Sequence, residues 1–198
     1  SNPNLAYYLN FSKADSQACD SFLDYSKILR ERVRRLLGKS KDFDILGHSM
    51  GGLTVRAAVV DDEDPLLGVN HCVLVAVPNE GSEWGGLCKA HVIRDRKKLT
   101  DAQVTQGVNM DPDHAIIQSI NTIGLKRLFL KNISRLYTIR GWKDTAVFSS
   151  SRFQYKGMEG EFPGKVTEIN YDGTSHTGRN GITQDPRVVA GVVRILTQ

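Results

Sequence analysis

Three side chains in this sequence have the types, the order and the settings that acyl transfer by a serine requires. The first is Ser49, within Gly47-His48-Ser49-Met50-Gly51-Gly52. Upstream, Asp42–Leu46 reads as a short buried strand; downstream, Leu53–Val60 reads as a helix. A serine in the tight turn between them needs near side-chain-free positions two residues before and two after, where Gly47 and Gly51 stand. Such a turn lifts the hydroxyl above the carboxyl ends of the strands, where open α/β sheets bind ligands. It also aims the backbone N–H of Met50, at the helix N-terminus, at a developing oxyanion.

A serine hydroxyl is a weak nucleophile. It needs a base to take its proton and an acid to hold that base in the right tautomer. Of the five histidines, His176 is the one in a loop after the last strand, in Asp172-Gly173-Thr174-Ser175-His176. His48 lies inside the turn with its side chain aimed away from Ser49, and His71 opens a strand at the opposite end of the sheet. His91 and His114 fall between strands, where surface positions are the default. For the acid, Asp144 follows the strand that closes at Gly141. Asp172 is its rival, although only four residues from His176. His48, Pro78 and Trp142 are the candidate substrate contacts, and no His, Asp or Glu set has the spacing of a metal site.

The elements that must position these groups can be read in order. Leu5–Phe11 is aromatic-rich and reads as a strand, followed by a polar loop to Asp20. Phe22, Tyr25, Ile28, Leu29, Val33 and Leu36 recur at helical spacing, with Asp20 as N-cap and Gly38 as stop. Val69–Val77 is a near-continuous apolar run, the mark of a strand covered on both faces. Ala115–Asn121 reads as a helix, Ser134–Arg140 and Lys165–Tyr171 as strands. The last helix opens with Asp185 as N-cap and Pro186 at the first helical position. Alternating strands and helices predict an α/β fold, a mostly parallel sheet with helices on both faces, in a single domain over 1–198. Residues 86–131 lie where a cap or lid insertion would sit.

Composition narrows the field of partners. The 198 residues are 40% hydrophobic and 24% charged with net charge +4, enough for one sizeable core. No basic patch is interleaved with aromatics, which argues against nucleic acid. The runs Arg30–Arg35 and Arg94–Lys98 are mixed with acids and read as solvated helix faces, with weak attraction to an anionic lipid surface as the alternative. Cys19, Cys72 and Cys88 cannot form a framework of pairs, and Cys72 sits in an apolar strand as a buried thiol. No stretch is long and apolar enough to cross a bilayer, and no signal-peptide pattern is visible, so cytoplasmic and secreted settings both stay open.

Taken together, Gly47–Gly52, Val77-Pro78-Asn79-Glu80-Gly81-Ser82, Gly141-Trp142-Lys143-Asp144, and His176 with Ile182–Pro186 resemble the α/β-hydrolase superfamily. Within it the chain is similar to the triacylglycerol lipase and serine esterase group, from about Tyr7 to Leu196. There, the strand after the nucleophile helix commonly ends in Pro-x-x-Gly-Ser, matched by Pro78, Gly81 and Ser82. The resemblance implies a carboxylic ester hydrolase acting on a small-molecule or lipid ester. Ser49, Asp144 and His176 would be its triad, the Met50 N–H one oxyanion donor, and no cofactor would be needed. An acyltransferase on the same triad, or a binding module that keeps the fold without turnover, are the alternatives. The resemblance also implies an upstream strand ending in a His-Gly loop with a second oxyanion donor, and nothing before Ser49 matches it. The expected chain thus lacks the N-terminal strands, which an upstream segment or a second chain would complete. If Leu5–Phe11 is the family's fourth strand and Asp42–Leu46 its fifth, they should lie two strand spacings apart, about 10 Å, around an open slot.

Overall fold

The computed structural model describes residues 6–9, 11–38, 42–82, 101–144, 152–177 and 181–198. Its elements are α1 (Lys13–Ala18), α2 (Phe22–Leu37), β1 (Phe43–His48), α3 (Met50–Val59), β2 (Val69–Val75), α4 (Asp101–Asn109), α5 (Ala115–Ile120), α6 (Ile123–Asn132), β3 (Ile133–Gly141), β4 (Val166–Tyr171) and α7 (Pro186–Leu196). The four strands form one sheet in the order β1-β2-β3-β4, every pair parallel. Because all strands point the same way, their carboxyl ends share one rim, and the loops leaving that rim converge.

Both faces are covered, as the near-continuous apolar reading of β2 requires. Phe22, Leu29 and Val33 of α2 and most of α3 pack on one face with Cys72, Leu74 and Leu136. Val188 and Ile195 of α7 pack on the other with Val73, Val75, Tyr137 and Ile139. Cys72 is fully buried, and burial pushes its thiol up to about 12, so it behaves as a small apolar side chain. The expected caps form at α7, where Asp185 accepts from the Arg187 N–H at 2.8 Å. At α2 the cap moves one residue on: the Asp24 carboxylate accepts from the N–H groups of Asp20 and Ser21 and from the Ser21 hydroxyl.

The opening segment departs from expectation. Residues 6–9 and 11 form no strand, and the polar stretch after them is helix α1. Ser12 and Asp15 explain this locally: each accepts from the other's backbone N–H, a capping box that starts a helix immediately after Phe11. Phe11 then meets Tyr25 edge-on, ring centroids 4.6 Å apart, so it packs on α2 instead of pairing, while Tyr7 and Tyr8 stay exposed. β1 is consequently a sheet edge, with no strand on its outer side among the described residues and Leu46 45% exposed.

β1 and β2 pair with one irregularity: Phe43 is opposite Val69 but Ile45 is opposite Cys72, so Asn70 and His71 face Asp44. The bulge leaves the His71 N–H without a ladder partner, and the Asp44 carboxylate accepts from it at 2.9 Å and meets His71 Nδ1 at 2.9 Å. His71 is thereby committed to the sheet's structure, at the amino-terminal half of β2.

Candidate active site

The turn between β1 and α3 holds Ser49 at φ 54, in the left-handed region that a residue with a Cβ rarely adopts. Backbone hydrogen bonds on both sides hold it there. The Ser49 N–H donates to the Val75 carbonyl at 3.0 Å, and the Ser49 carbonyl accepts from Gly52 at 3.0 Å. The glycines that permit the turn are Gly47 and Gly52. A Cβ on Gly47 would lie 2.6 Å from the Gly52 Cα, and one on Gly52 would overlap the Val77 side chain. Gly51 faces open space. The expectation that positions two before and two after the serine must be bare therefore holds for Gly47 and shifts from Gly51 to Gly52. The strand and the third helical residue are the parts that touch.

Two further loops leave the same rim. β3 ends at Gly141, and the chain turns so that the Asp144 N–H donates to the Gly141 carbonyl at 3.1 Å. β4 ends at Tyr171, and the loop returns with Thr174 fully buried. The two loops are held in register by Trp142 N–H to the Tyr171 carbonyl at 3.1 Å and Lys143 N–H to the Thr174 carbonyl at 3.0 Å. Gly141 is glycine for a plain reason: its Cβ would lie 2.6 Å from the Thr174 carbonyl oxygen. Beyond Thr174, Ser175 forms a parallel bridge with Gly181, and its carbonyl accepts from Ile182 at 2.8 Å. His176 is thus carried by a loop tied at both ends.

These ties bring three distant residues into one line. Ser49 Oγ lies 2.9 Å from His176 Nε2, and His176 Nδ1 lies 2.8 Å from Asp144 Oδ2. Asp144 is 2% exposed while its rival Asp172 is exposed, and the Asp172 carbonyl is occupied as acceptor for Arg187 at 2.7 Å. An imidazole whose Nδ1–H is fixed on a buried carboxylate presents its free Nε2 lone pair to the hydroxyl, the arrangement that general-base attack needs.

Other histidines have other fates. The His48 ring sits beside that of His176, centroids 5.2 Å apart, and its Nε2 is buried without a hydrogen-bond partner. Burial first, and the neighbouring His176 second, push the His48 imidazole below its usual range, which keeps it neutral beside His176. His114 caps α5, accepting from the Ile116 N–H at 3.3 Å. His91 lies outside the described residues. Pro78 is buried, its carbonyl closing a turn with the Gly81 N–H at 3.0 Å, whereas Trp142 stands 55% exposed two residues before Asp144.

Two residues near the site were not anticipated. Thr174 sets the distance between the loops that carry Asp144 and His176. Arg56, two helical turns beyond Ser49, is 1% exposed and fully built into the core. Burial pulls its pKa down to about 10, so it remains charged at neutral pH. A lone arginine in the apolar run Leu53–Val60 was the available signal. Among the described residues, no group of three or more His, Cys, Asp and Glu is placed to hold a metal ion.

No protein-family model matches the chain, and no curated protein matches it. Solved structures do. Phospholipase PlaB from Legionella pneumophila superposes with TM-score 0.62 at 13% identity, over 98% of this chain and 50% of that one. A carboxylesterase of the thaumarchaeon Nitrososphaera gargenis gives 0.53 at 12% identity, over 89% and 73%. A bromoperoxidase from Bacillus anthracis gives 0.55 at 14% identity, over 90% and 74%. The chain spans about half the length of PlaB. At such identities these likenesses establish the fold, which is that of the α/β-hydrolases.

Proposed function

We propose that this α/β-hydrolase chain is a serine carboxylic ester hydrolase. The observation that carries the reading is the line Ser49 Oγ, His176 Nε2, His176 Nδ1, Asp144 Oδ2, at 2.9 and 2.8 Å, ending on a strained turn. His176 takes the Ser49 proton as Oγ attacks the acyl carbon. Asp144 steadies the imidazolium, and the Met50 N–H donates to the oxyanion. His176 then protonates the departing alkoxide, leaving an acyl-Ser49 ester. Water, deprotonated by His176, releases the acid and restores the hydroxyl. Trp142, exposed in the loop that carries Asp144, is the apolar surface offered to the substrate, and His48 packs against His176. The esterase and phospholipase among the structural neighbours support this reaction class.

The outer edge of β1, unpaired among the described residues, belongs to the same proposal. With Leu46 exposed, such an edge is a template for a further strand. A segment or second chain pairing there would lie next to His48 and Ser49, where a second oxyanion donor is needed. One such donor is worth about 10²–10³ in rate. The direct test is hydrolysis of short-chain nitrophenyl esters by the wild type and by Ser49→Ala. Turnover in the first and its loss in a folded second support the mechanism; equal turnover in both contradicts it.

A further inference from the structure

The segment between β2 and β3 is tied to the rest of the molecule along its described length. At its start, Gln106 of α4 donates to the Tyr25 hydroxyl at 3.0 Å, and Asn109 donates to the Asp20 carbonyl at 2.7 Å. The turn after α4 is stitched to the loop after β2: the Ser82 N–H donates to the Met110 carbonyl at 2.7 Å. Gly81, at φ 94, lies so close that a Cβ would stand 2.6 Å from the Pro112 Cα. At its end, Asn132 donates to the Val59 carbonyl of α3 at 3.0 Å.

Arg56 joins the middle. Its Nη1 donates to the Asn79 carbonyl at 2.8 Å and Asn79 Oδ1 at 3.3 Å; its Nη2 donates to the Ile120 carbonyl at 3.2 Å and Asn121 Oδ1 at 2.9 Å. Asn121 closes the ring by donating to the same Asn79 carbonyl at 2.7 Å. The guanidinium lies 5.0 Å from the Phe153 ring centre and 6.0 Å from that of Phe129. Nearby, the 8% exposed Lys126 of α6 pairs with Glu80 at 2.8 Å. A buried cation on α3 whose partners lie in the loop after β2 and at the end of α5 holds all three at once. Moving one away strands a charge in the core.

A lid opens because its underside is lightly held. This underside is the core itself: Ile117, Ile120, Phe129 and Leu130 are each at most 3% exposed. Of the expected cap or lid over 86–131, residues 86–100 lie outside the described residues; we infer that the described part, residues 101–132, is a fixed part of the fold, locked by Arg56, and does not move as a lid.

Hydrogen exchange read by mass spectrometry tests the lock. Amides over 115–132 in the wild type should exchange as slowly as those of β2 and β3, at least about 10³-fold below free-peptide rates. Near-free exchange there overturns the inference. In Arg56→Met, protection over 115–132 should fall at least about tenfold while β2 keeps its own; unchanged protection removes Arg56 as the lock. If that variant does not fold, Asn121→Ala is read in the same way. A wild type with no esterase activity at all contradicts the proposed function, and the exchange measurement still decides the lock.

Discussion

Gly52 and Val77 are in contact so close that no side chain larger than hydrogen fits between them. This contact joins the first turn of α3 to the end of β2 and so fixes where Ser49 stands. Gly51→Ala should keep activity and gain up to about 1 kcal/mol, because its Cβ meets nothing and alanine is the better helix residue. Gly52→Ala should lose about 1–3 kcal/mol from overpacking and most of the activity, as α3 is pushed off Val77. Thermal melts and esterase assays on the two variants check the asymmetry; the reverse order of damage would contradict the geometry.

The choice of acid is open to the same treatment. Asp144→Asn should lower kcat by orders of magnitude, since the equivalent change in a serine protease costs about 10⁴ by leaving the imidazole in the wrong tautomer. Asp172→Asn should cost little, its side chain being exposed and its main chain already serving Arg187. Steady-state kinetics on both decide the matter, and a larger loss in Asp172→Asn would reassign the acid.

His48 makes a prediction about stability. Its folded-state pKa lies below the ordinary 6.5 because of burial and His176. As pH falls below about 6.5, the unfolded chain binds a proton at this site that the folded chain resists, so acid favours unfolding there. Above that pH the contribution is flat. Chemical denaturation at a series of pH values should show the wild type losing more stability between pH 7 and 5 than His48→Asn does. An equal loss in both would mean that His48 is not held neutral.

Much of this site is legible in the chain because its parts are local. A strand, a bare turn and a helix around Ser49 are short-range patterns, and the loops holding Asp144 and His176 follow strands that their apolar runs announce. What stays hidden depends on who meets whom. Leu5–Phe11 has strand composition, but whether it pairs is decided by the capping box at Ser12 and the Phe11–Tyr25 contact. Gly51 and Gly52 look alike in sequence and differ only in what lies across from them. Arg56 is one charge in an apolar helix, and its ring of acceptors comes from Asn79, Ile120 and Asn121, far along the chain.

The central claim is that Ser49 is a nucleophile activated by His176. A fluorophosphonate reacts with a serine only when a base withdraws its proton and the leaving group departs, so it reads that activation without assuming a substrate. Intact and peptide mass spectrometry after labelling should find one adduct, on Ser49, in the wild type. The adduct should be lost in Ser49→Ala and strongly slowed in His176→Ala, both shown folded by circular dichroism. A folded wild type that takes no label at Ser49, or labels as fast without His176, would contradict the account.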